Sequence, residues 1–231
     1  MIGHPTVAEL MASEGFDWIA VDMEHTSIEI RQFHEIALAI KGTGCDLLAR
    51  LPSCDPVQAK KVLDAGASGI IVPLINTKEE AQRAVAMAMF PPEGFRGAAF
   101  SRASNFGRNF AGYYKDYNRS LLVVVMMEHI KAVENADAIL ETPGIDAVFI
   151  GPYDLSASIG RPGELNHPET QKAITQIFDA CRRHNVPAGI HVVSANRTEV
   201  EQRIAQGYRF IACSLDIEFI IQGCRHILGK T

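Results

Sequence analysis

Four apolar runs in this 231-residue chain end in residues that can do chemistry. FDWIAV leads into Asp22-Met23-Glu24-His25, DLLA into Arg50, LLVVVMM into Glu128-His129, and DAVFI into Gly151-Pro152-Tyr153-Asp154. A carboxylate directly after an apolar run must be paired, hydrated or bound to a cation. With no CxxC pair and no clustered histidine motif, Glu128 and Asp154 offer a hard oxygen site. Such a site suits Mg2+ or Mn2+ and keeps coordination positions for water and substrate. Taken singly, each residue has an ordinary alternative, Asp154 as a helix N-cap before Leu155 and Glu128 as an ion-pair partner. It is their joint placement that points to a metal.

His25 is the histidine best placed for proton transfer, because the neighbouring acids Asp22 and Glu24 can hold its tautomer and raise its basicity. His129 abuts the proposed ligand, His167 precedes a proline and His191 lies within an apolar run, so these are weaker candidates. A strand carries a guanidinium such as Arg50 mainly where an anion or carboxylate needs it. Lys41, Lys60, Lys61, Lys78, Lys115, Lys131, Lys172 and Lys230 all fall in expected helices, loops or the tail. Schiff-base chemistry, which needs a lysine projecting from a strand, is thereby disfavoured. No glycine-rich turn suits a phosphate, so a non-phosphorylated substrate is favoured, and no GxGxxG or GxxxxGK[ST] string supports a nucleotide site.

The elements that must position these residues alternate in type, which predicts an α/β fold of repeated β-α units, a (β/α)8 TIM barrel. Expected strands are Phe16 to Met23, Asp46 to Leu51, Gly69 to Leu74, Leu121 to Glu128, Asp146 to Gly151, Pro187 to Val193 and Tyr208 to Ser214. Expected helices are Thr6 to Ser13, Ile28 to Lys41, Pro56 to Ala65, Lys78 to Met89, Lys131 to Glu141, Pro168 to Arg183, Arg197 to Gln206 and Asp216 to Leu228. An eighth strand belongs before the first helix, where only Met1, Ile2 and Gly3 stand, so the first strand reads as truncated at the N-terminus. Thr26 to Glu29 has capping-box spacing, and Gly66 closes a helix before a strand. The segment from Pro91 to Asn118, rich in Gly, Arg and aromatics, is too long for an ordinary connection and is expected to cover substrate or contact another subunit.

With 47% hydrophobic and 21% charged residues, the chain fits one barrel domain over residues 1–231. A net charge of -5 without a basic stripe excludes an electrostatic case for nucleic acid or an anionic membrane, leaving small molecules. The five cysteines are odd in number and read as reduced. Neither a membrane span nor a signal peptide is visible, so a cytoplasmic location is expected.

GFDWIAVDMEH (Gly15 to His25), RLPSCDP (Arg50 to Pro56), VLDAGASGIIVP (Val62 to Pro73), FRG (Phe95 to Gly97), SRAS (Ser101 to Ser104) and VFIGPYDLSASIG (Val148 to Gly160) carry a resemblance that spans nearly the whole chain. It is to the metal-dependent pyruvate aldolases of the 4-hydroxy-2-oxoheptanedioate aldolase and 2-dehydro-3-deoxyglucarate aldolase family. The resemblance implies a barrel with a swapped C-terminal helix, hexameric assembly and use of Mg2+, Mn2+ or Co2+. It implies that Glu128 and Asp154 hold the metal against the carboxylate and keto oxygens of pyruvate, with backbone at Tyr153 and Asp154 on the carboxylate. His25 would act in acid-base transfer and Arg50 on the enolate. The family's carboxylate partner for the histidine matches Asp64, whereas the residues alone favour Asp22; both stay open. Met126 stands where the family commonly has a substrate-contacting glutamine. The expected reaction is reversible retro-aldol cleavage of a 4-hydroxy-2-oxo acid to pyruvate and an aldehyde, in catabolism of aromatic compounds or sugar acids. Alternatives are oxaloacetate decarboxylation, cleavage of a citrate- or malate-like thioester, or a non-catalytic barrel that binds dicarboxylates.

Overall fold

The computed structural model describes residues 1–230; the last residue of the expected domain, Thr231, lies outside them. In chain order the elements are α1 (Pro5–Ser13), β1 (Trp18–Asp22), α2 (Ile30–Ala39), β2 (Asp46–Arg50), α3 (Pro56–Ala65) and β3 (Gly69–Val72). Then come α4 (Lys78–Ala88), α5 (Phe110–Ser120), β4 (Leu122–Met127), α6 (Ile130–Glu134), α7 (Ala136–Leu140) and β5 (Ala147–Ile150). The chain continues through α8 (Pro152–Ser158), α9 (Pro168–Arg183), β6 (Ala188–Val192), α10 (Arg197–Gln206), β7 (Phe210–Cys213) and α11 (Asp216–Ile227). All strand pairs are parallel and follow sequence order, β1-β2-β3-β4-β5-β6-β7.

Each expected strand run contains one observed strand, because runs such as LLVVVMM are apolar on both faces and suit a parallel sheet covered on both sides. The register fixes which side chains share a face. Leu48, Ile71, Val124, Met126 and Phe149 point into the hollow of the sheet and pack together with Trp18 and Phe210. The intervening residues, among them Ala49, Ile70, Val125, Val148 and Ile150, belong to the larger core under the helices. The sheet curls until its edges meet: Trp18 on β1 stacks on Phe210 on β7 with centroids 4.5 Å apart and planes 3° apart. Among the described residues no ladder joins β7 to β1, and the strands are seven where eight were expected, in a curled half-barrel. Met1 to Gly3 form no strand; the Met1 amine and the Ile2 amide instead meet the Asp216 carboxylate at 3.2 and 2.6 Å.

Local chemistry sets several boundaries. Helix α3 starts where the Asp55 carboxylate accepts from Val57 N–H at 2.7 Å with Pro56 at its first position, and stops at Gly66, whose φ of +107° is left-handed. Helix α2 starts at Ile30, later than expected, and the Gln32 side chain accepts from Glu29 N–H, so the reciprocal pair is Glu29 and Gln32 rather than Thr26 and Glu29. The expected helix from Lys131 to Glu141 breaks at Asn135, whose amide donates to Asn76 O at 2.8 Å. The segment from Pro91 to Asn118 contains most of α5 and is anchored at the other end of the strands from the site residues. Arg102 donates to Ala65 O and Ala37 O, at the C-terminal ends of α3 and α2. No residue of that segment lines the large cavity at the strand C-termini, so it does not cover that mouth within its own chain.

Leu48 has 0% exposure in the hollow of the sheet. Leu48→Ala should therefore cost about 2–5 kcal/mol in denaturant unfolding, while Leu10→Ala, on an exposed face of α1, should stay within about 0.5 kcal/mol.

Candidate active site

Period-two alternation carries the inward face past the strand ends. Asp22 pairs with Arg50 in register, Met126 precedes Glu128 by two residues, Phe149 precedes Gly151 by two, and His191 follows Gly189, the register partner of Phe149. Arg50, Met126, Glu128, Phe149, Gly151, Tyr153, Asp154 and His191 all line one cavity of about 720 Å3. A smaller one of about 190 Å3, in the seam between β7 and β1, shares Arg50, Phe149 and His191 with it and adds Asp22.

Glu128 is buried, with 2% exposure. Its Oε1 accepts one hydrogen bond, from Leu74 N–H at 2.9 Å, and its Oε2 has no hydrogen-bond partner. Leu74 reaches that carboxylate through a left-handed backbone, φ 55°, which is costly for a leucine and therefore held by its surroundings. A side chain at residue 151 would fill the same space, since a Cβ on Gly151 would stand 2.6 Å from Glu128 Oε2. Burial pushes the Glu128 carboxyl above its usual range; the Leu74 amide and Arg50 oppose this, and the charges of Asp154 and Glu24 add to it.

Asp154 is exposed in the first turn of α8. Gly151 occupies the N-cap position, so the N-cap alternative for Asp154 does not apply. The amides of Tyr153 and Asp154 precede the first helical bond, Leu155 N–H to Gly151 O at 3.0 Å, and so are available to an anion.

Arg50 stands among carboxylates. Its Nη2 is 2.6 Å from Glu24 Oε2, off the hydrogen-bonding direction, and 4.0 Å from Glu128 Oε2, while Nη1 is 3.5 Å from Asp22 Oδ2. It also reaches His25 Nε2 at 3.1 Å; because a guanidinium only donates, Nε2 is the accepting nitrogen here. His25 remains 55% exposed, with Glu24 Oε2 3.5 Å from its Nε2. Burial raises the Glu24 carboxyl, against the opposing charges of Arg50 and His25.

The two aspartates considered for His25 go elsewhere. Asp22 Oδ1 accepts from the backbone amides of Glu24 and His25 at 2.9 and 3.1 Å, so it shapes the loop that carries the imidazole instead of touching the ring. Asp64 accepts from Arg96 Nη2 at 2.7 Å, with that guanidinium packed on the rings of Phe90 and Tyr117 at 4.6 and 4.4 Å. Within one chain Asp64 is not brought to His25. His129 and His167 cap α6 and α9, accepting from Lys131 N–H and Glu169 N–H. Sequence reasoning passed over Leu74, for which a strand-like sequence gives no sign of positive φ. His191, ranked below His25 on sequence, lines the same cavity, where strand alternation sets it beside Phe149.

Three carboxylates, those of Asp22, Glu24 and Glu128, thus stand within 4.0 Å of one guanidinium, and the charge of Asp154 reaches Glu24 and Glu128. The surplus negative charge and the unpartnered Glu128 Oε2 fit a divalent cation. No cluster of three or more potential protein ligands occurs among the described residues, so two carboxylates would leave most coordination positions to substrate and water.

Comparison with known proteins gives the family. A family model described as HpcH/HpaI aldolase/citrate lyase matches residues 2–223. A 5-keto-4-deoxy-D-glucarate aldolase of Shigella dysenteriae serotype 1 is 36% identical over 216 residues, 94% of this chain and 84% of that protein. A crystal structure of an HpcH/HpaI aldolase/citrate lyase family protein from Burkholderia cenocepacia superposes with a TM-score of 0.94 at 32% identity, covering 99% of this chain and 90% of that one. An HpcH/HpaI aldolase from Desulfitobacterium hafniense gives 0.90 at 27% identity, covering 99% and 88%. The chain belongs to the HpcH/HpaI aldolase/citrate lyase family and is a carbon-carbon lyase.

Proposed function

We propose that this lyase cleaves a non-phosphorylated 4-hydroxy-2-oxo acid to pyruvate and an aldehyde, reversibly and with a divalent metal. The observation that carries the reading is Glu128 Oε2, a buried carboxylate oxygen without a hydrogen-bond partner amid excess negative charge. Glu128 and Asp154 would hold the ion, and Mg2+, Mn2+ or Co2+ bound there supplies Lewis-acid polarisation of the substrate's carboxylate and keto oxygens. The first-turn amides of Tyr153 and Asp154 orient the substrate carboxylate. His25 takes the proton from the C4 hydroxyl as the C3–C4 bond breaks, and the aldehyde leaves. The electron pair of that bond becomes the enolate, Arg50 donates to its oxygen, and protonation at C3 gives pyruvate. Met126 and Phe149 present an apolar wall to the substrate.

The same reading treats the curled sheet as a (β/α)8 barrel forming one domain, in a cytoplasmic homo-oligomer of hexameric type. Helix α11 buries no residue in the chain and exposes Phe219, Ile220, Ile221 and Ile227, with exposed Leu228 at its C-cap, which supports association between copies. Assembly would also give Asp64 a route to the His25 of another copy. The named relative acts on 5-keto-4-deoxy-D-glucarate, which favours sugar acids as the substrate class.

Pyruvate release from 4-hydroxy-2-oxo acids should vanish after EDTA treatment and return with Mn2+; turnover that survives complete metal removal contradicts the mechanism. Stability gives a second readout. A carboxyl whose folded pKa is raised favours the fold below its unfolded pKa, and that contribution is lost as pH rises through the folded value. In metal-free protein, Glu128→Gln should accordingly raise Tm at pH 8, by about 2–4 °C for each kcal/mol relieved. The gain should shrink as pH falls toward the ordinary carboxylate range, as calorimetry across pH would record.

A further inference from the structure

His191 stands on the inward face of β6, half-buried, on the same level of the sheet as Glu128 and Gly151 and in register with Ala212 of β7. Its ring is 6.5 Å from that of Phe149, and the residue lines both cavities. Nε2 lies 3.2 Å from Ser214 O. A carbonyl oxygen only accepts, so Nε2 carries the hydrogen and Nδ1 is left as a bare lone pair. Nδ1 has no hydrogen-bond partner among the described residues and is not among the polar atoms sealed from solvent. Burial holds the imidazole below its ordinary pKa; of the charges that reach it, Arg50 adds to this and Asp22 opposes it. The ring is therefore a neutral acceptor on an otherwise apolar wall formed by Met126 and Phe149.

We propose that His191 is a substrate-recognition residue whose Nδ1 accepts a hydrogen bond from a hydroxyl group of the substrate next to the bond that is made or broken. This rests on the aldolase reading above. A carboxylate tail, which only accepts, finds no donor in this nitrogen, and an alkyl chain leaves it unpaired, so a site built this way favours a hydroxyl over a methyl of the same size. The hydroxyl can belong to either half of the product, and isosteric pairs separate the two sources. Glycolaldehyde against propanal, each with pyruvate, probes the aldehyde half. Hydroxypyruvate against 2-oxobutyrate, with one common aldehyde, probes the oxo-acid half.

In the Mn2+-loaded wild type, the hydroxyl-bearing member of at least one pair should be favoured in kcat/KM by about tenfold or more. Two variants distinguish recognition from a structural role. His191→Gln keeps a donor for Ser214 O but loses the acceptor at the Nδ1 position, and should bring the ratio close to one, mainly through KM. His191→Asn keeps an acceptor at that position while losing the reach to Ser214, and should retain much of the preference. The pair whose ratio collapses identifies the half that carries the hydroxyl. The proposal is overturned if the wild type shows no preference in either pair, or if His191→Gln retains it and His191→Asn loses it, the pattern of a residue that merely holds Ser214. Ring nitrogen NMR that finds the proton on Nδ1 would also overturn it. Failure of the aldolase reading has its own signature, no pyruvate consumption with any aldehyde, and would remove this proposal with it.

Discussion

The rest of the site is arranged around a carboxylate that the fold buries without fully satisfying. Glu128 follows directly on the central strand β4, receives one amide from Leu74 and keeps Oε2 unpartnered at 4.0 Å from Arg50. In a dry environment such a group is expensive unless a cation compensates it. Around it the chain spends sequence on keeping the position open. Gly151 has no side chain where one would collide, and Leu74 adopts a backbone conformation that leucine disfavours in order to donate its amide.

Strand alternation links this constraint to the architecture. The parity that sends Leu48, Val124, Met126 and Phe149 into the hollow of the sheet continues to Arg50 at the end of β2 and to Glu128 and Gly151 just past β4 and β5. Core packing and site placement are thus one geometric fact, and a one-residue slip of β4 would turn Glu128 toward the helices. Where the sheet stays unpaired, between β7 and β1, the Trp18–Phe210 stack holds the edges together and an apolar seam runs up to Asp22, Arg50 and His191.

Much of this was legible in the residues. Apolar runs located all seven strands, and the charged residues after them identified Arg50, Glu128 and Asp154, because burial on both faces leaves a strong local pattern. What was not legible depends on partners distant in sequence. Nothing in FRG signals that Arg96 ties up Asp64, since that pairing spans 32 residues. The break at Asn135 depends on Asn76, and the choice of Glu29 over Thr26 as the start of α2 depends on Gln32. The segment from Pro91 to Asn118 carries exposed Phe100 and Phe106 beside buried Arg96 and Ser104, and only the fold reveals which end of the strands it meets. His191 was visible in principle, but a histidine inside an apolar run looks like core until its parity is counted.

The central claim, that Glu128 and Asp154 together bind a divalent cation, is tested most directly by titrating metal-free protein with Mn2+ and following free ion by electron paramagnetic resonance. One Mn2+ should bind per chain in the wild type, and Glu128→Gln and Asp154→Asn should each weaken that binding while leaving the fold intact by circular dichroism. Binding of Mn2+ by both variants as tightly as by the wild type would contradict the account.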